Sequence, residues 1–305
     1  MTDPFQVADV QIGGGQLFLI AGPCVIESEE HALKMAEAIA TVCRDKKLSY
    51  IFKASYDKAN RTSVRSFRGP GLAEGLRILG KIRQSVNVPV LTDVHEVHDV
   101  PPVAEAVDIL QIPAFLCRQT DLLIAAGRSG RAVNVKKGQF VSPWDMRHAV
   151  EKIHDAGGER VLLTERGASF GYNNLVVDMR SLAIMRKFAP VVFDATHSVQ
   201  LPSAGRDGVS QTPGSPERAD ASGPPTTADF AVGGVNVARS GVESGGQPEF
   251  IPLLARAAVA AGIDGVFVEV HDNPAEAKSD GANALDLKLL PELLDQLLAL
   301  HHAIK

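Results

Sequence analysis

The chain has 305 residues with 45% hydrophobic and 22% charged content and a formal net charge of −5. That mild acidity gives no basic field for a nucleic-acid surface, so an anionic ligand would have to be met by local basic residues. Three widely spaced cysteines (Cys24, Cys43 and Cys117) do not make a disulfide framework, no stretch of 18 apolar residues could span a membrane, and Met1 to Val10 lacks a signal-peptide pattern, so a cytoplasmic location is expected.

Short apolar runs alternate with longer amphipathic ones along the chain. Strands are predicted at Leu17–Ala21, Tyr50–Lys53, Val88–Leu91, Ile109–Ile112, Ala132–Val135, Val161–Thr164, Val191–Phe193 and Gly265–Val268. Helices are predicted at Glu29–Asp45, Leu72–Ser85, His98–Ala106, Thr120–Ala126, Ser142–Ala156, Met179–Phe188, Phe250–Ala261 and Leu287–His302. Apolar residues recur there at helical spacing, as in Met146, Val150 and Ile153. Strands that alternate with helices pair in parallel, and eight such units predict a closed (β/α)8 TIM barrel forming a single domain over residues 1–305. An open doubly wound sheet is the alternative. Ser203–Gly246 breaks the pattern: it is rich in Gly, Pro, Ser and Thr, and pieces such as Gly223-Pro224-Pro225-Thr226 suit no packed core. It is expected to be a long flexible insertion after the seventh strand.

In a barrel, the loops after the strand C-termini build the active face. Polar residues cap all eight predicted strands, among them Cys24 and Glu27, Lys53 to Arg61, Asp93 and His95, Gln111 and Arg118, Lys136 to Gln139, Glu165 and Arg166, Asp194 and His197, and Glu269 and His271. Lys53, Lys58, Lys136 and Arg166 come from different strands yet would converge over one barrel mouth. Cations so placed repel one another unless an anion lies between them, and a phosphate with a carboxylate would satisfy them. Cys24, His197, Glu269 and Asp280 are a mixed donor set suited to a divalent metal such as Zn, Fe or Mn. Their spacing carries no metal signature, and a buried cysteine with a structural histidine is the competing explanation.

The longest runs at these positions are Ala21-Gly22-Pro23-Cys24-Val25-Ile26-Glu27-Ser28, Phe52-Lys53-Ala54-Ser55-Tyr56-Asp57-Lys58-Ala59-Asn60-Arg61, Gln111-Ile112-Pro113-Ala114-Phe115-Leu116-Cys117-Arg118, Asn134-Val135-Lys136-Lys137-Gly138-Gln139-Phe140 and Asp194-Ala195-Thr196-His197-Ser198-Val199-Gln200. In these runs the sequence resembles the 3-deoxy-D-manno-octulosonate 8-phosphate synthase family. The resemblance covers nearly the whole chain outside Ser203–Gly246. It implies condensation of phosphoenolpyruvate with D-arabinose 5-phosphate and water, releasing phosphate, with the product feeding the Kdo sugar of lipopolysaccharide. It places Lys53, Ser55, Lys58, Lys136 and Arg166 on phosphoenolpyruvate, assisted by Arg118 and the backbone near Ala114. Asn60, Arg61 and Thr62 fall to arabinose 5-phosphate, partly across a subunit boundary, which implies a homotetramer.

The same resemblance implies that Cys24, in place of the Asn of a metal-free branch, ligates a divalent metal together with His197, Glu269 and Asp280. Lys58 and Asn60 are then candidate catalytic residues, and Asp93, His95, Asp194 and His197 candidates for proton handling or support. One departure stands out: Ser244-Gly245-Gly246 is followed by Gln247-Pro248-Glu249, with Pro248 where the family has an Arg. Heptulosonate 7-phosphate synthases are the nearest enzyme rivals, but carry a Lys-Pro-Arg run in place of Lys58-Ala59-Asn60-Arg61. Sialic-acid synthases lack that run too, and a non-catalytic barrel scaffold would not need the site residues.

Overall fold

The computed structural model describes residues 3–61, 64–201 and 245–305. Eight parallel strands form the barrel: β1 Phe18–Gly22, β2 Ser49–Lys53, β3 Val90–Asp93, β4 Ile109–Ile112, β5 Ala132–Lys136, β6 Val161–Glu165, β7 Val191–Asp194 and β8 Gly265–His271. Each strand pairs with the next in sequence, and β7 pairs with β8 through Phe193↔Val266. The ring closes where β8 meets β1, with Gly265 opposite Phe18 and Glu269 opposite Gly22. The fold is therefore the predicted (β/α)8 barrel. The connecting helices are α1 Glu29–Asp45, α2 Leu72–Ser85, α3 Val100–Ala106, α4 Thr120–Arg128, α5 Met146–Asp155, α6 Arg180–Met185, α7 Ile251–Ala260 and α8 Leu290–Ala303.

Alternation along the strands divides the core in two. One face, with residues such as Leu19, Phe52, Leu110, Val135, Leu163 and Val268, packs against the helices. The helices answer with their own apolar stripes; α1 buries Ala32, Met35, Ala36, Ile39, Ala40 and Cys43, at three- and four-residue spacing. Its start is fixed by Ser28, whose hydroxyl accepts a hydrogen bond from the His31 N–H at 3.1 Å. The other strand face fills the barrel interior with Phe18, Ile20, Ile51, Leu91, Ile109, Ala132, Leu162, Val192 and Phe267. Fully burying such side chains stabilises the fold by about 1.5–3 kcal/mol each. Gly265 makes room for this packing, since a Cβ there would lie 2.6 Å from the Phe18 ring.

A hairpin that the sequence reading did not anticipate closes the N-terminal end of the barrel. Phe5–Val7 pairs antiparallel with Val10–Ile12. Val7, Val10 and Ile12 join the interior cluster. Some helices are shorter than expected, for local reasons. Residues 142–145 form turns ahead of α5, and α6 stops at Met185 instead of Phe188. Beyond Met185 the chain tightens into turns, the Lys187 and Phe188 N–H groups donating to the carbonyls of Ile184 and Met185 three residues back.

The predicted insertion leaves from the loop after β7, as expected, but residues 202–244 lie outside the described residues. Its last two residues are described: Gly245 and Gly246 pair antiparallel with Leu201 and Gln200. Pro248 opens a 3-10 turn, Pro248–Phe250, that leads into α7.

Candidate active site

Two residues beyond the apolar interior layer, the same inward positions carry a different chemistry. Ile51, Leu91, Ile109, Ala132, Leu162, Val192 and Phe267 are followed at that spacing by Lys53, Asp93, Gln111, Asn134, Thr164, Asp194 and Glu269, all buried. Strand period therefore places a ring of polar side chains at the C-terminal end of the barrel. Gly22 completes it; a Cβ there would stand 2.0 Å from the Lys53 carbonyl oxygen.

Half of this ring is a chain of neutral and anionic hydrogen bonds. Thr164 Oγ1 donates to Asn134 Oδ1 at 2.7 Å, and Asn134 Nδ2 to Gln111 Oε1 at 2.9 Å. Gln111 Nε2 and Ser55 Oγ then donate to the two oxygens of Asp93. Burial works against the Asp93 carboxylate, but Lys53, Lys58 and His95 with the Ser55 bond hold its pKa below the ordinary range. Asn134 and Thr164 were not among the expected site residues, because inside apolar strands they read as core.

The other half is ionic. Lys53 Nζ pairs with Glu269 Oε1 at 2.8 Å and donates to the Cys24 carbonyl at 3.1 Å. Lys136 Nζ pairs with Asp194 Oδ2 at 2.7 Å and lies 4.1 Å from the centre of the Phe267 ring. The same Asp194 oxygen is 2.8 Å from His197 Nδ1, while Oδ1 accepts the N–H groups of Thr196 and His197. Burial opposes ionisation of Asp194 and Glu269, yet His197 and Lys136 around the first, and Lys53, His197 and Lys58 around the second, keep both ionised well below the usual range. Burial also disfavours the Lys58 ammonium, but the carboxylates of Glu269, Asp93 and Asp280 hold it charged. Lys136 and Arg166 are lowered chiefly by burial.

Above this layer opens a cleft of about 530 Å³. Lys53, Lys58, Asn60, Arg61, Asp93, His95, Ala114, Lys136, Arg166, His197 and Asp280 all line it, as do Gln111, Gln139 and Gln200. Arg166 is held by Nη2, which donates to the His197 carbonyl at 3.0 Å and to Gln200 Oε1 at 3.2 Å. Behind it, Glu165 Oε1 accepts the Arg166 and Gly167 N–H groups at 3.0 and 2.7 Å and pairs with the buried Lys137 at 3.3 Å. Arg166 Nε, Arg61 Nη2 and Gln139 Oε1 are buried without a protein partner. Such atoms are costly unless a ligand or water meets them.

Not every expected residue reaches the cleft. Ser55 sits beneath it, spent on Asp93. Arg118 is exposed and outside the lining, and its carbonyl accepts from Lys152 at 3.2 Å. Thr62 lies outside the described residues.

The expected metal ligands are brought together in large part. Donor atoms of Cys24, Glu269 and Asp280 lie within 4.8 Å of one another, and His197 Nε2 is 3.8 Å from Glu269 Oε1. Asp194 holds the other nitrogen of that ring, so Nε2 is the one turned toward Glu269. Glu269 Oε2 is buried with no partner. Cys24 Sγ lies 3.1 Å from Asp280 Oδ2 and 2.8 Å from Ser279 Oγ. Burial, Asp280 and Glu269 push the Cys24 thiol far up, so without a cation it keeps its proton and donates it to Asp280. Two carboxylates and a thiol this close, one carboxylate oxygen unpartnered, fit a divalent ion that displaces that proton.

A closed (β/α)8 barrel with a polar, cation-lined cleft over its strand C-termini is that of a barrel enzyme acting on a small anionic substrate. Comparison with known proteins narrows the class. The DAHP synthetase I family model matches residues 3–305. A Koribacter versatilis protein named 2-dehydro-3-deoxyphosphooctonate aldolase is 64% identical over 304 residues, covering 100% of this chain and 98% of that protein. Proteins of the same name from Geobacter metallireducens and Trichlorobacter lovleyi are 54% and 52% identical, over the full length of both chains in each case. The chain belongs to the DAHP synthetase I family.

Proposed function

We infer that this chain condenses phosphoenolpyruvate with D-arabinose 5-phosphate and water to give 3-deoxy-D-manno-octulosonate 8-phosphate and phosphate, for Kdo synthesis. It is a 3-deoxy-8-phosphooctulonate synthase, the activity that the relatives' name, 2-dehydro-3-deoxyphosphooctonate aldolase, describes. The observation that carries this is the convergence of Lys53, Lys58, Lys136 and Arg166, from the ends of three different strands, on one cleft.

Phosphoenolpyruvate supplies the two anionic groups those cations call for. The unpartnered Nε of Arg166 offers a fork to a phosphate or carboxylate, with Lys136 and Lys58 alongside. Arabinose 5-phosphate takes the outer cleft: Arg61, with Nη2 unpartnered, and Thr62 meet its phosphate, and Asn60 a hydroxyl. Arg118 and the Ala114 backbone assist at the phosphoenolpyruvate end, Arg118 from the rim. This order lays the sugar aldehyde over one face of the enol. C3 of the enol then bonds to the aldehyde carbon, a water oxygen bonds to C2, and phosphate leaves from C2. Lys58 and Asn60 steady the aldehyde oxygen, and His95, edge-on to the Tyr56 ring at 5.4 Å, hands it a proton. Asp93 and Asp194 stay ionised and hold their neighbours in place.

Cys24, His197, Glu269 and Asp280 would hold one divalent ion, Zn, Fe or Mn, which when bound supplies Lewis-acid charge at an oxygen in the cleft. The chain works in the cytoplasm as a homotetramer. In support, the loops after β4, β5 and β6 expose Phe115, Phe140, Trp144, Phe170 and Tyr172, and no described helix is long and apolar enough to cross a membrane.

Incubation with both substrates should release one phosphate for each eight-carbon 3-deoxy-2-ulosonic acid detected by mass spectrometry. Phosphate released without that product would overturn the assignment.

A further inference from the structure

The three clustered donors sit on separate segments: the turn after β1 (Cys24), the end of β8 (Glu269) and the loop beyond it (Asp280). One carboxylate outside the cleft reaches all three segments. Glu27 follows Cys24 by three residues. Its Oε1 accepts a hydrogen bond at 2.8 Å from the N–H of Lys278, two residues before Asp280. The same oxygen stands 3.3 Å from Nε2 of His271, two residues after Glu269. His271 is buried, and its Nδ1 accepts the Asn273 N–H at 2.9 Å, which leaves the ring proton on Nε2, close to Glu27 but without a hydrogen-bond partner. His31 closes the cluster, its ring centre 4.6 Å from that of His271 and its Nε2 3.0 Å from Asp272 Oδ1.

We propose that Glu27 is a positioning residue, which through Lys278 and His271 fixes the spacing of Cys24, Glu269 and Asp280 and so sets the affinity for the divalent ion; this rests on the metal site proposed above. The Glu269 and Asp280 carboxylates repel one another in the ion-free protein, so their segments separate unless something outside the donor set ties them together. Strand pairing ties β8 to β1. Glu27 adds a hydrogen bond to the Asp280 loop and a 3.3 Å electrostatic contact to His271 of β8. Donor atoms of Glu27, His31 and His271 also lie within 4.8 Å of one another. The Asn273 N–H on Nδ1 turns a hydrogen, not a lone pair, of His271 toward that cluster, which makes it a tether and not a second ion site.

Zn²⁺ titration of the full chain against a chromophoric chelator, for the parent, Glu27→Gln and His271→Gln, tests this. Glu27→Gln keeps the shape and loses the charge. It should bind Zn²⁺ about 10- to 100-fold more weakly. The melting temperature of its zinc-free form should stay near the parent's, and the KM for phosphoenolpyruvate at saturating zinc should not move. His271→Gln, which leaves the Glu27–Lys278 bond, should weaken binding less, and it decides the matter if Glu27→Gln does not fold. Equal affinity in parent and variants would overturn the proposal. So would two zinc equivalents in the parent with one lost in Glu27→Gln, since that describes an ion site. A parent that binds no zinc would overturn the metal site itself, and this role with it.

Discussion

Lys53 and Glu269 form an ion pair at 2.8 Å with both side chains almost wholly shielded from water, the lysine 1% and the carboxylate 0% exposed. The pair joins two parts of the site. Lys53 belongs to the cation set, and Glu269, whose second oxygen is unpartnered, belongs to the cluster with Cys24 and Asp280. A charge on either side therefore holds the other in place.

Breaking a buried pair is far costlier than replacing it whole. Lys53→Met in metal-free protein should lose about 3–5 kcal/mol of stability. Lys53→Met/Glu269→Leu should recover most of that while remaining inactive. Urea unfolding checks both, and a single variant that loses less than about 1 kcal/mol would show that the pair is relaxed by water.

Arg166→Lys keeps the charge and removes the fork. Losing one charge-assisted hydrogen bond costs about 1.5–3 kcal/mol, so the KM for phosphoenolpyruvate should rise at least about tenfold. The KM for arabinose 5-phosphate should change much less. Equal shifts in both would move Arg166 out of the phosphoenolpyruvate subsite.

Asp93, Asp194 and Glu269 all have folded pKa values depressed by their cationic neighbours, against the opposing effect of burial. Unfolded carboxylates titrate near about 4, so below that pH the unfolded chain takes up protons first. The stability these groups contribute is present above about pH 5 and drains away as pH falls below about 4. Asp194→Asn should flatten that acid slope in urea unfolding between pH 5 and 3. An unchanged slope would mean that Asp194 is not held ionised by His197 and Lys136.

The barrel was legible because its signal is local. Buried parallel strands are apolar runs; Ile109–Ile112 was placed as observed, and the other strands within one to three residues. The hairpin at Phe5–Ile12 escaped because two three-residue strands leave too short a period to read, and their partner is the barrel interior. Cations at strand ends were legible for the same geometric reason, since parallel strands share one mouth. The Glu27–His271 approach and the Asn134–Gln111–Asp93 chain were not, because both join residues far apart in sequence through groups that locally read as a loop or as core.

Cys24 decides the metal. Cys24→Ala should purify with little metal and little activity, and a chelator should inactivate the parent reversibly. Cys24→Asn should keep some activity, insensitive to chelator, because an amide ligates metal poorly yet can hydrogen-bond a water or the aldehyde oxygen. Full activity of extensively chelated parent protein would end the metal assignment and leave the condensation untouched.

The sugar that this cleft accepts decides what the enzyme makes. Phosphate release from phosphoenolpyruvate should be measured with arabinose 5-phosphate, erythrose 4-phosphate and N-acetylmannosamine as the second substrate. A shorter sugar leaves polar groups such as Asn60 unpaired, so arabinose 5-phosphate should lead erythrose 4-phosphate by at least about a hundredfold in kcat/KM, with N-acetylmannosamine inert. Equal rates with the two phosphorylated sugars, or a preference for erythrose 4-phosphate, would rule out an arabinose 5-phosphate enzyme.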